Sequence, residues 1–405
     1  MANNAELPQK VLIIDDQPLG LGELKRFLES NNIQALSAPD LQSALYLFGH
    51  HKVDVAVIAI EMKELSGISI VQKIRGNEDL DKKCAGVVLM SAKRERTATE
   101  QNLVDELGGI EIMNKPFKPV QLLPYLIRSF SRMKTDRNFA ELKEKVVDVH
   151  VKKGNYEKAI NTLKKNLPQL GEKGPNLLLD LYEQGGFNED GLQLVDGLIN
   201  KNPDKTNINY INAKGRLLMK TGNFEEAKKY MEKADELAPM NLERMGEMAE
   251  LYLKMDNPEK SIEKMKGLMQ ENPEQPDMKF GMFDKLKEAG YSDHAIAFCK
   301  ETTQANEVVR FYNNQGVMES KSGDYSKAIQ KYADALQFYP KYKENYRILF
   351  NKALAEINAK EPGYIQRAIE AVEASLELSP DYEKAINLLE KLKNSKKKKK
   401  PKKAG

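Results

Sequence analysis

The chain has no tryptophan and only two cysteines among its 405 residues. Cys84 and Cys299 have no metal-ligand or redox spacing, so we expect two reduced core thiols. No run of 18 apolar residues occurs, which argues against a membrane-spanning helix. The first residues, 1–6, have neither a basic region nor an apolar stretch. We therefore expect no signal peptide and a cytoplasmic protein.

Motifs that carry well-known chemistries are also missing. The sequence has no nucleophile elbow, P-loop, HExxH pair, cysteine-rich metal motif or glycine-rich dinucleotide fingerprint. His50 and His51 are adjacent but have no matching acid or cysteine pattern, and we interpret them as the end of a helix. We expect a protein that is not an enzyme and that requires no cofactor.

Basic residues are concentrated near the C-terminal end of the sequence. The formal net charge is +3, and removing seven clustered lysines leaves −4 for the rest, so no chain-wide basic patch for nucleic acid is present. We expect a disordered solubilising segment over residues 395–405. Contact with nucleic acid or an anionic surface and a nuclear address are the alternatives. The clustered lysines are Lys396, Lys397, Lys398, Lys399, Lys400, Lys402 and Lys403.

Short apolar runs alternate five times with amphipathic helical patterns in residues 1–132. Strands that are apolar on both faces favour a central parallel sheet covered by helices. The alternation predicts an α/β domain with a doubly wound, five-stranded parallel sheet. We expect strands at Val11–Ile14, Ala35–Ala38, Val53–Ile60, Gly86–Met90 and Ile110–Asn114. We expect helices at Leu19–Ser30, Leu41–His50, Ile68–Gly76, Thr97–Leu107 and Val120–Arg132.

Polar residues gather where these strands end. Asp15 and Asp16 follow the first strand, Ser91 follows the fourth and Lys115 follows the fifth, whereas Ala59 ends the third. Ligand chemistry in this fold collects at the carboxyl ends of the strands. The arrangement resembles the receiver (CheY-like) domain of two-component response regulators. In that family the position of Ala59 carries the aspartate that accepts a phosphoryl group, which a methyl group cannot do.

The resemblance gives the polar residues a role in a phosphoryl pocket. Asp15 and Asp16 match the acidic pair that holds Mg²⁺, and Ser91 and Lys115 match the hydroxyl and ammonium groups for the phosphoryl oxygens. We expect Lys115 to neutralise Asp15 or Asp16. Weak Mg²⁺ binding by Asp15 and Asp16 is the alternative. Glu61 could supply a substitute carboxylate, but we expect it to be a solvated loop residue.

Two further positions depart from the family pattern. Ile112 stands where the family usually has a switch aromatic, and Lys63 replaces a common proline. Together with Ala59, they imply a pseudo-receiver that has one fixed state and is not phosphorylated on an aspartate.

From about residue 140 the strand pattern stops and a repeat begins. The copies Gly154–Ala159, Gly222–Ala227 and Gly323–Ala328 share a glycine turn and a final small residue. The final small residues of seven copies lie at 159, 191, 227, 261, 295, 328 and 368, with separations of 32 to 40 residues. This period resembles the tetratricopeptide repeat, in which stacked helix pairs form a superhelix with a concave groove. Departures are Gly191 and Ser261 in place of alanine and extra residues near 359–362.

Grooves of this kind bind protein segments, and polar residues on the first helices suit that role. Glu243, Glu247 and Glu250 give the middle of the surface the opposite sign. The alternative is that these are simply solvated helix faces. The candidate groove residues are Asn209, Asn212, Arg216, Arg310, Asn313, Arg347 and Asn351.

No proline or glycine occurs between Leu126 and Lys153. The last helix of the α/β domain is therefore expected to run into, or dock on, the first repeat and to form a semi-rigid unit. We expect a receiver-like domain over 1–132, a helical linker over 133–139 and seven repeats over 140–394.

These observations predict a non-catalytic bacterial signalling adaptor, in which a receiver-like docking domain is joined to a protein-binding helical solenoid. Partners on the receiver would contact its fourth helix, fifth strand and fifth helix. The alternatives are a phosphorelay regulator modulated by Mg²⁺ or by phosphate at another residue, and a regulator that contacts nucleic acid through its lysines. The sequence does not identify the partner or the oligomeric state.

Overall fold

The computed structural model describes residues 6–17, 21–63, 65–93, 98–170, 173–201 and 207–398. The chain divides into two compact units, residues 1–274 and residues 275–405. The first unit contains an α/β domain and four helical hairpins. The second contains three helical hairpins and a final helix.

The five predicted strands form one parallel sheet in the order β2-β1-β3-β4-β5. Along β3 and β4 every residue is buried, because helices cover both faces of the sheet. The predicted doubly wound fold is therefore confirmed. The strands are β1 (Lys10–Ile14), β2 (Gln34–Ala38), β3 (Val55–Ala59), β4 (Gly86–Ser91) and β5 (Ile110–Asn114).

Helices pack on both faces of the sheet. Leu28 and Leu126 contribute to the core on one face, whereas Phe48, Val71 and Leu103 contribute to the core on the other. A short helix, α4, was not predicted, and the predicted helix starts at residues 19 and 97 lie outside the described residues. The helices are α1 (Leu21–Ser30), α2 (Leu41–His50), α3 (Gly67–Arg75), α4 (Leu80–Lys83), α5 (Ala98–Leu107) and α6 (Leu123–Lys143).

The connection between the α/β domain and the first hairpin is helical throughout. A 3-10 turn, Pro119–Leu122, leads into α6, which continues through a π-helical segment, Glu144–Asp148, into α7 (Val149–Val151). The absence of proline and glycine permits this continuity, because neither a helix breaker nor a flexible residue interrupts it. The chain thus enters the repeats without a flexible linker.

The repeats of the first unit are antiparallel helix pairs that turn where the sequence repeat predicts. Each turn contains one residue of positive φ, which is Asp256 in the fourth hairpin and glycine in the others. Ser261, which replaces alanine, is fully buried and donates its hydroxyl hydrogen to the carbonyl oxygen of Ala249 at 2.8 Å. The helices are α8 (Tyr156–Leu170), α9 (Lys173–Gly185), α10 (Asn188–Lys201), α11 (Ile208–Lys220), α12 (Phe224–Leu237), α13 (Leu242–Lys254) and α14 (Pro258–Gln270).

The second unit has an aromatic core. Phe280, Phe283 and Tyr312 are buried, and Phe280 contacts each of the other two edge-on. Whereas we expected disorder from residue 395, the last helix continues to Lys398; residues 399–405 lie outside the described part of the chain. The helices are α15 (Met278–Glu288), α16 (Ser292–Thr302), α17 (Ala305–Ser322), α18 (Tyr325–Phe338), α19 (Asn345–Ala359), α20 (Tyr364–Leu378) and α21 (Glu383–Lys398).

Gly67, at the start of α3, makes a close backbone contact that fixes the end of β3. A methyl group at Gly67 would overlap the carbonyl group of Ala59. Gly67→Ala should therefore reduce the free energy of unfolding by about 1–3 kcal/mol, as overpacking of a tight site does. Gly49, exposed in α2, has no neighbour within 4 Å of an added methyl. Urea unfolding should show Gly49→Ala to be neutral or stabilising, and an equal loss in both variants would contradict the close contact.

Candidate functional site

The carboxyl edge of the sheet brings Asp15 and Lys115 into contact. Lys115 Nζ lies 2.6 Å from Asp15 Oδ2, and the Asp15 side chain is buried. The second oxygen, Oδ1, accepts the backbone N–H of Gln17 at 3.0 Å. Both oxygens of Asp15 thus have protein donors, and the ammonium group of Lys115 compensates the buried negative charge.

Asp16 is directed to the loop that follows β3. Its Oδ2 atom accepts the backbone N–H of Lys63 at 2.8 Å. Because Lys63 uses its backbone N–H, which proline lacks, the departure from the family's common proline is what allows this bond. Asp16 therefore stabilises the loop after β3.

Glu61 engages the Ser91 hydroxyl, which the family resemblance assigns to a phosphoryl ligand. Its Oε1 atom accepts the Ser91 hydroxyl at 3.1 Å, and its Oε2 atom accepts the backbone N–H of Ala92 at 2.9 Å. The expectation of a solvated Glu61 is therefore wrong. A carboxylate that accepts two hydrogen bonds joins the loop after β3 to the loop after β4.

Ala59 is fully buried at the end of β3, beside Met90 of β4. The remaining donor set fits Mg²⁺ poorly. Asp15 is paired with Lys115, Asp16 is bonded to the backbone, and a hard cation prefers several free oxygen ligands. Among the described residues, no group of three or more His, Cys, Asp or Glu side chains could hold a metal ion.

A second polar cluster lies on the neighbouring first helices α9, α11 and α13. Arg216 Nε lies 2.8 Å from Glu183 and 3.7 Å from Glu247, and Arg216 Nη2 lies 3.6 Å from Asp180. Arg216, proposed to contact a partner, is thus held by carboxylates of the adjacent helices. Because one guanidinium faces several acids, the cluster has surplus negative charge.

The surplus charge alters the acidity of the cluster. Burial raises the pKa of Glu247 to about 8; Arg216 opposes this shift, and the carboxylates of Glu243 and Glu183 add to it. Burial likewise raises the pKa of Asp180, again against the charge of Arg216. A site of this kind favours protonation of one of its carboxyl groups near neutral pH.

Asn212, one helical turn before Arg216, contacts the α/β domain. Its amide donates to Glu106 of α5, and its Oδ1 atom accepts Arg244 Nη1 at 3.2 Å. Arg244 Nη1 also lies 2.6 Å from Glu106 Oε1, and the Glu106 and Arg244 side chains are only 3% and 1% exposed. The structure therefore corrects the expectation that Asn212 is available in an open groove.

Around this ion pair, α3 and α5 present a surface that we call the docked face. Gln72 donates to the carbonyl of Met240 at 2.9 Å and accepts the N–H of Leu242 at 2.7 Å. The other contacts are Lys73 with Glu274 at 2.7 Å, Asn102 with the carbonyl of Leu237 at 3.0 Å, and Ser69 with Glu271. The docked face consists of Ser69, Gln72, Lys73, Asn102 and Glu106.

The fourth long helix of the α/β domain, α5, was expected to contact an outside partner. It instead packs against α11 and α12 of the same chain. The sequence did not single out Glu106 or Arg244, because no local pattern connects residues 138 positions apart. The sequence feature that came nearest to indicating this contact was Asn212, which was placed on a helix face expected to bind protein.

The candidate residues of the second unit have different surroundings. Asn351 donates to Asn313 at 2.8 Å, so these two amides join α17 to α19. Arg310 is exposed, and Arg347 is exposed beside Tyr346, whose hydroxyl lies 2.8 Å from Arg347 Nε. Asn209, in the first unit, lies in the first turn of α11, where its N–H donates to Asn207.

The candidate lysines near the end of the sequence cannot be placed as a surface. The backbone of Lys396, Lys397 and Lys398 is helical, but their side chains, like Lys399, Lys400, Lys402 and Lys403, lie outside the described residues. The structure therefore gives no geometry for the basic segment.

Comparison with known families agrees with this architecture. Residues 11–127 match the response regulator receiver domain. The α/β domain has the receiver fold. Residues 208–241, the α11–α12 hairpin, match a tetratricopeptide repeat.

Curated relatives match about a third of the chain. Response regulator GtcR of Aneurinibacillus migulanus is 28% identical over 141 residues, which cover 35% of this chain and 54% of that protein. Transcriptional regulatory protein MalR of Bacillus subtilis (strain 168) is 30% identical over 144 residues, covering 35% and 53%. The chain spans about half the length of the curated relatives it matches.

Solved structures also match about a third of the chain. Chemotaxis response regulator CheY4 of Vibrio cholerae is 22% identical, with coverage of 30% of this chain and 97% of that chain and a TM-score of 0.27. No helix in the described residues has the length and apolar character needed to cross a membrane.

The raised pKa of Glu247 predicts a pH-dependent stability. The folded protein holds the Glu247 proton up to about pH 8, whereas an unfolded glutamate releases it at about pH 4.3. The contribution of this proton to the free energy of unfolding is therefore present at low pH and is lost as the pH rises through this interval. Glu247→Gln should remove this loss and flatten the pH profile of the unfolding free energy. Exposed Glu250 on the same helix provides the control Glu250→Gln. Identical profiles for both variants would contradict the prediction.

Proposed function

We propose that the protein is a non-catalytic signalling adaptor whose receiver domain works as a docking domain without phosphorylation. The observation that carries the proposal is the occupied pocket. Glu61 takes the Ser91 hydroxyl and the Ala92 N–H, and Lys115 is paired with Asp15. A pocket whose donors already have internal acceptors has little to gain from binding a phosphoryl group.

Ala59 supports the same proposal. By its place at the end of β3, it matches the phosphoacceptor of the receiver family, and a methyl group offers no nucleophile. Ile112 in β5 stands in place of the switch aromatic. Loss of both the acceptor and the switch favours a receiver with one fixed conformation. Mg²⁺ is not needed for this role, since the acidic pair is engaged by protein donors.

The repeats supply the other half of the proposed activity, binding of protein segments. In the first unit, the candidate residues Asn212 and Arg216 are engaged by residues of the same unit. In the second unit, Arg310 and Arg347 are exposed on α17 and α19. Exposed guanidinium groups bind carboxylates and backbone carbonyls through several donors. We therefore assign the partner binding that is open in the docked chain to the second unit, and expect a cytoplasmic bacterial protein.

Incubation with acetyl phosphate and Mg²⁺, followed by intact mass measurement, tests the receiver half of the proposal. The protein should gain no phosphoryl group, because position 59 has no carboxylate. The variant Ala59→Asp provides the matched comparison. This variant restores the family's residue at position 59, but Glu61 still accepts the Ser91 hydroxyl. We therefore expect slow or absent phosphorylation of this variant as well.

Combining Ala59→Asp with Glu61→Ala should allow labelling, since the Ser91 hydroxyl and the Ala92 N–H become available. Phosphorylation of the unaltered protein that is lost on Asp16→Asn would refute the proposal. Labelling of Ala59→Asp that is as fast as labelling of the double variant would refute the role of Glu61.

A further inference from the structure

In the docked face, α5 lies on the repeats in the way that a bound helical ligand would. Asn102 and Glu106 lie four residues apart, on one side of α5. Asn102 donates to the carbonyl at the end of α12, and Glu106 accepts from Arg244 at 2.6 Å and from Asn212. The repeats thus recognise a helix that carries an amide and, one turn later, a carboxylate.

We propose that the docked face is a reversible latch, in which α5 is the repeats' own helical ligand and closes the α11–α13 surface to other proteins. The proposal rests on the adaptor function proposed above, because closure has meaning only if the repeats bind protein. It adds that the receiver controls which part of the repeats is open.

The composition of the contact favours reversibility. Its polar interactions include the Lys73–Glu274 pair, the two bonds of Gln72 and the Ser69–Glu271 contact. Apolar contact is supplied mainly by Ile208, Leu237 and Ala238 against the receiver core. Domain contacts rich in polar groups resemble transient interfaces, whereas permanent ones are more apolar.

The central ion pair is incompletely satisfied. Within the described residues, Glu106 Oε2 and Arg244 Nε are buried and have no hydrogen-bond partner, although Arg244 Nε lies 3.5 Å from Asp235 Oδ1. A buried polar atom without a partner loses the hydrogen bonds that water would give it. Undocking returns Glu106 to water, which offsets part of the binding energy of the latch and keeps the open state accessible.

Closure buries two polar side chains of the repeats. In the docked state, Asn212 and Arg244 are buried and engaged with Glu106. An outside helix with the same pattern of amide and carboxylate would have to displace α5. The open state exposes this site on the repeats and the docked face on the receiver at the same time.

Hydrogen–deuterium exchange of the full chain tests the latch. Glu106→Gln keeps the shape of the side chain but removes its charge, so it should accelerate exchange in α5 and in α13 together, by at least about tenfold. Asp105 is exposed on the same helix, and its carboxylate accepts a bond from Gln101 of that helix. Asp105→Asn is the control and should leave both helices protected.

A charge exchange at the edge of the docked face provides an independent test. Lys73→Glu and Glu274→Lys should each accelerate exchange in both helices, and the double variant should restore protection because the pair is re-formed with opposite polarity. Acceleration in only one helix, equal effects of Glu106→Gln and Asp105→Asn, or no restoration in the double variant would overturn the latch. None of these readouts involves a phosphodonor, so the latch can fail while the adaptor proposal stands.

Discussion

A buried ion pair between Glu106 on α5 and Arg244 on α13 joins the receiver domain to the repeats. Removing two charges from water is costly, and the cost is recovered only when partners are held in good geometry. Asn212 and the carbonyl of Ala238 provide that geometry on the repeat side. In the latch that we propose, the accessible part of the repeats depends on this pair.

The pocket at the carboxyl edge of the sheet follows the same physical rule. Charges and polar groups that would bind a ligand are instead satisfied within the chain. Asp15 is neutralised by Lys115, and Ser91 is bonded to Glu61. Replacing only the phosphoacceptor residue by alanine would leave the polar groups around it without partners. Here Glu61 supplies a carboxylate from within the chain to this polar edge of the sheet.

Much of the architecture could be predicted from local signals. Short apolar runs predicted the five strands and amphipathic patterns predicted most helices, because a strand covered on both faces buries every residue and a helix buries one side. Turn glycines predicted the hairpins, and Ser261 fits because its hydroxyl finds the carbonyl of Ala249. These features depend on residues close together in sequence, where the pattern is visible.

Contacts between distant residues were not predictable in this way. Glu61 looked like a solvated loop residue, because nothing nearby in the sequence indicates that its side chain reaches Ser91. Glu106 and Arg244 each looked like an ordinary charge on a helix surface. Their pairing, and the burial of Asn212, arise only when the receiver packs against the repeats, which neither periodicity nor composition encodes.

We expect that a phosphodonor does not change how the receiver is docked on the repeats. Hydrogen exchange of the full chain, measured with and without acetyl phosphate and Mg²⁺, tests it most directly. We predict the same exchange rates in α5 and α13 under both conditions. Position 59 has no carboxylate that could accept a phosphoryl group, and Ser91 and Lys115 are already bonded within the chain. Faster exchange in both helices only when the phosphodonor is present would contradict the claim and would identify a working phosphorylation switch.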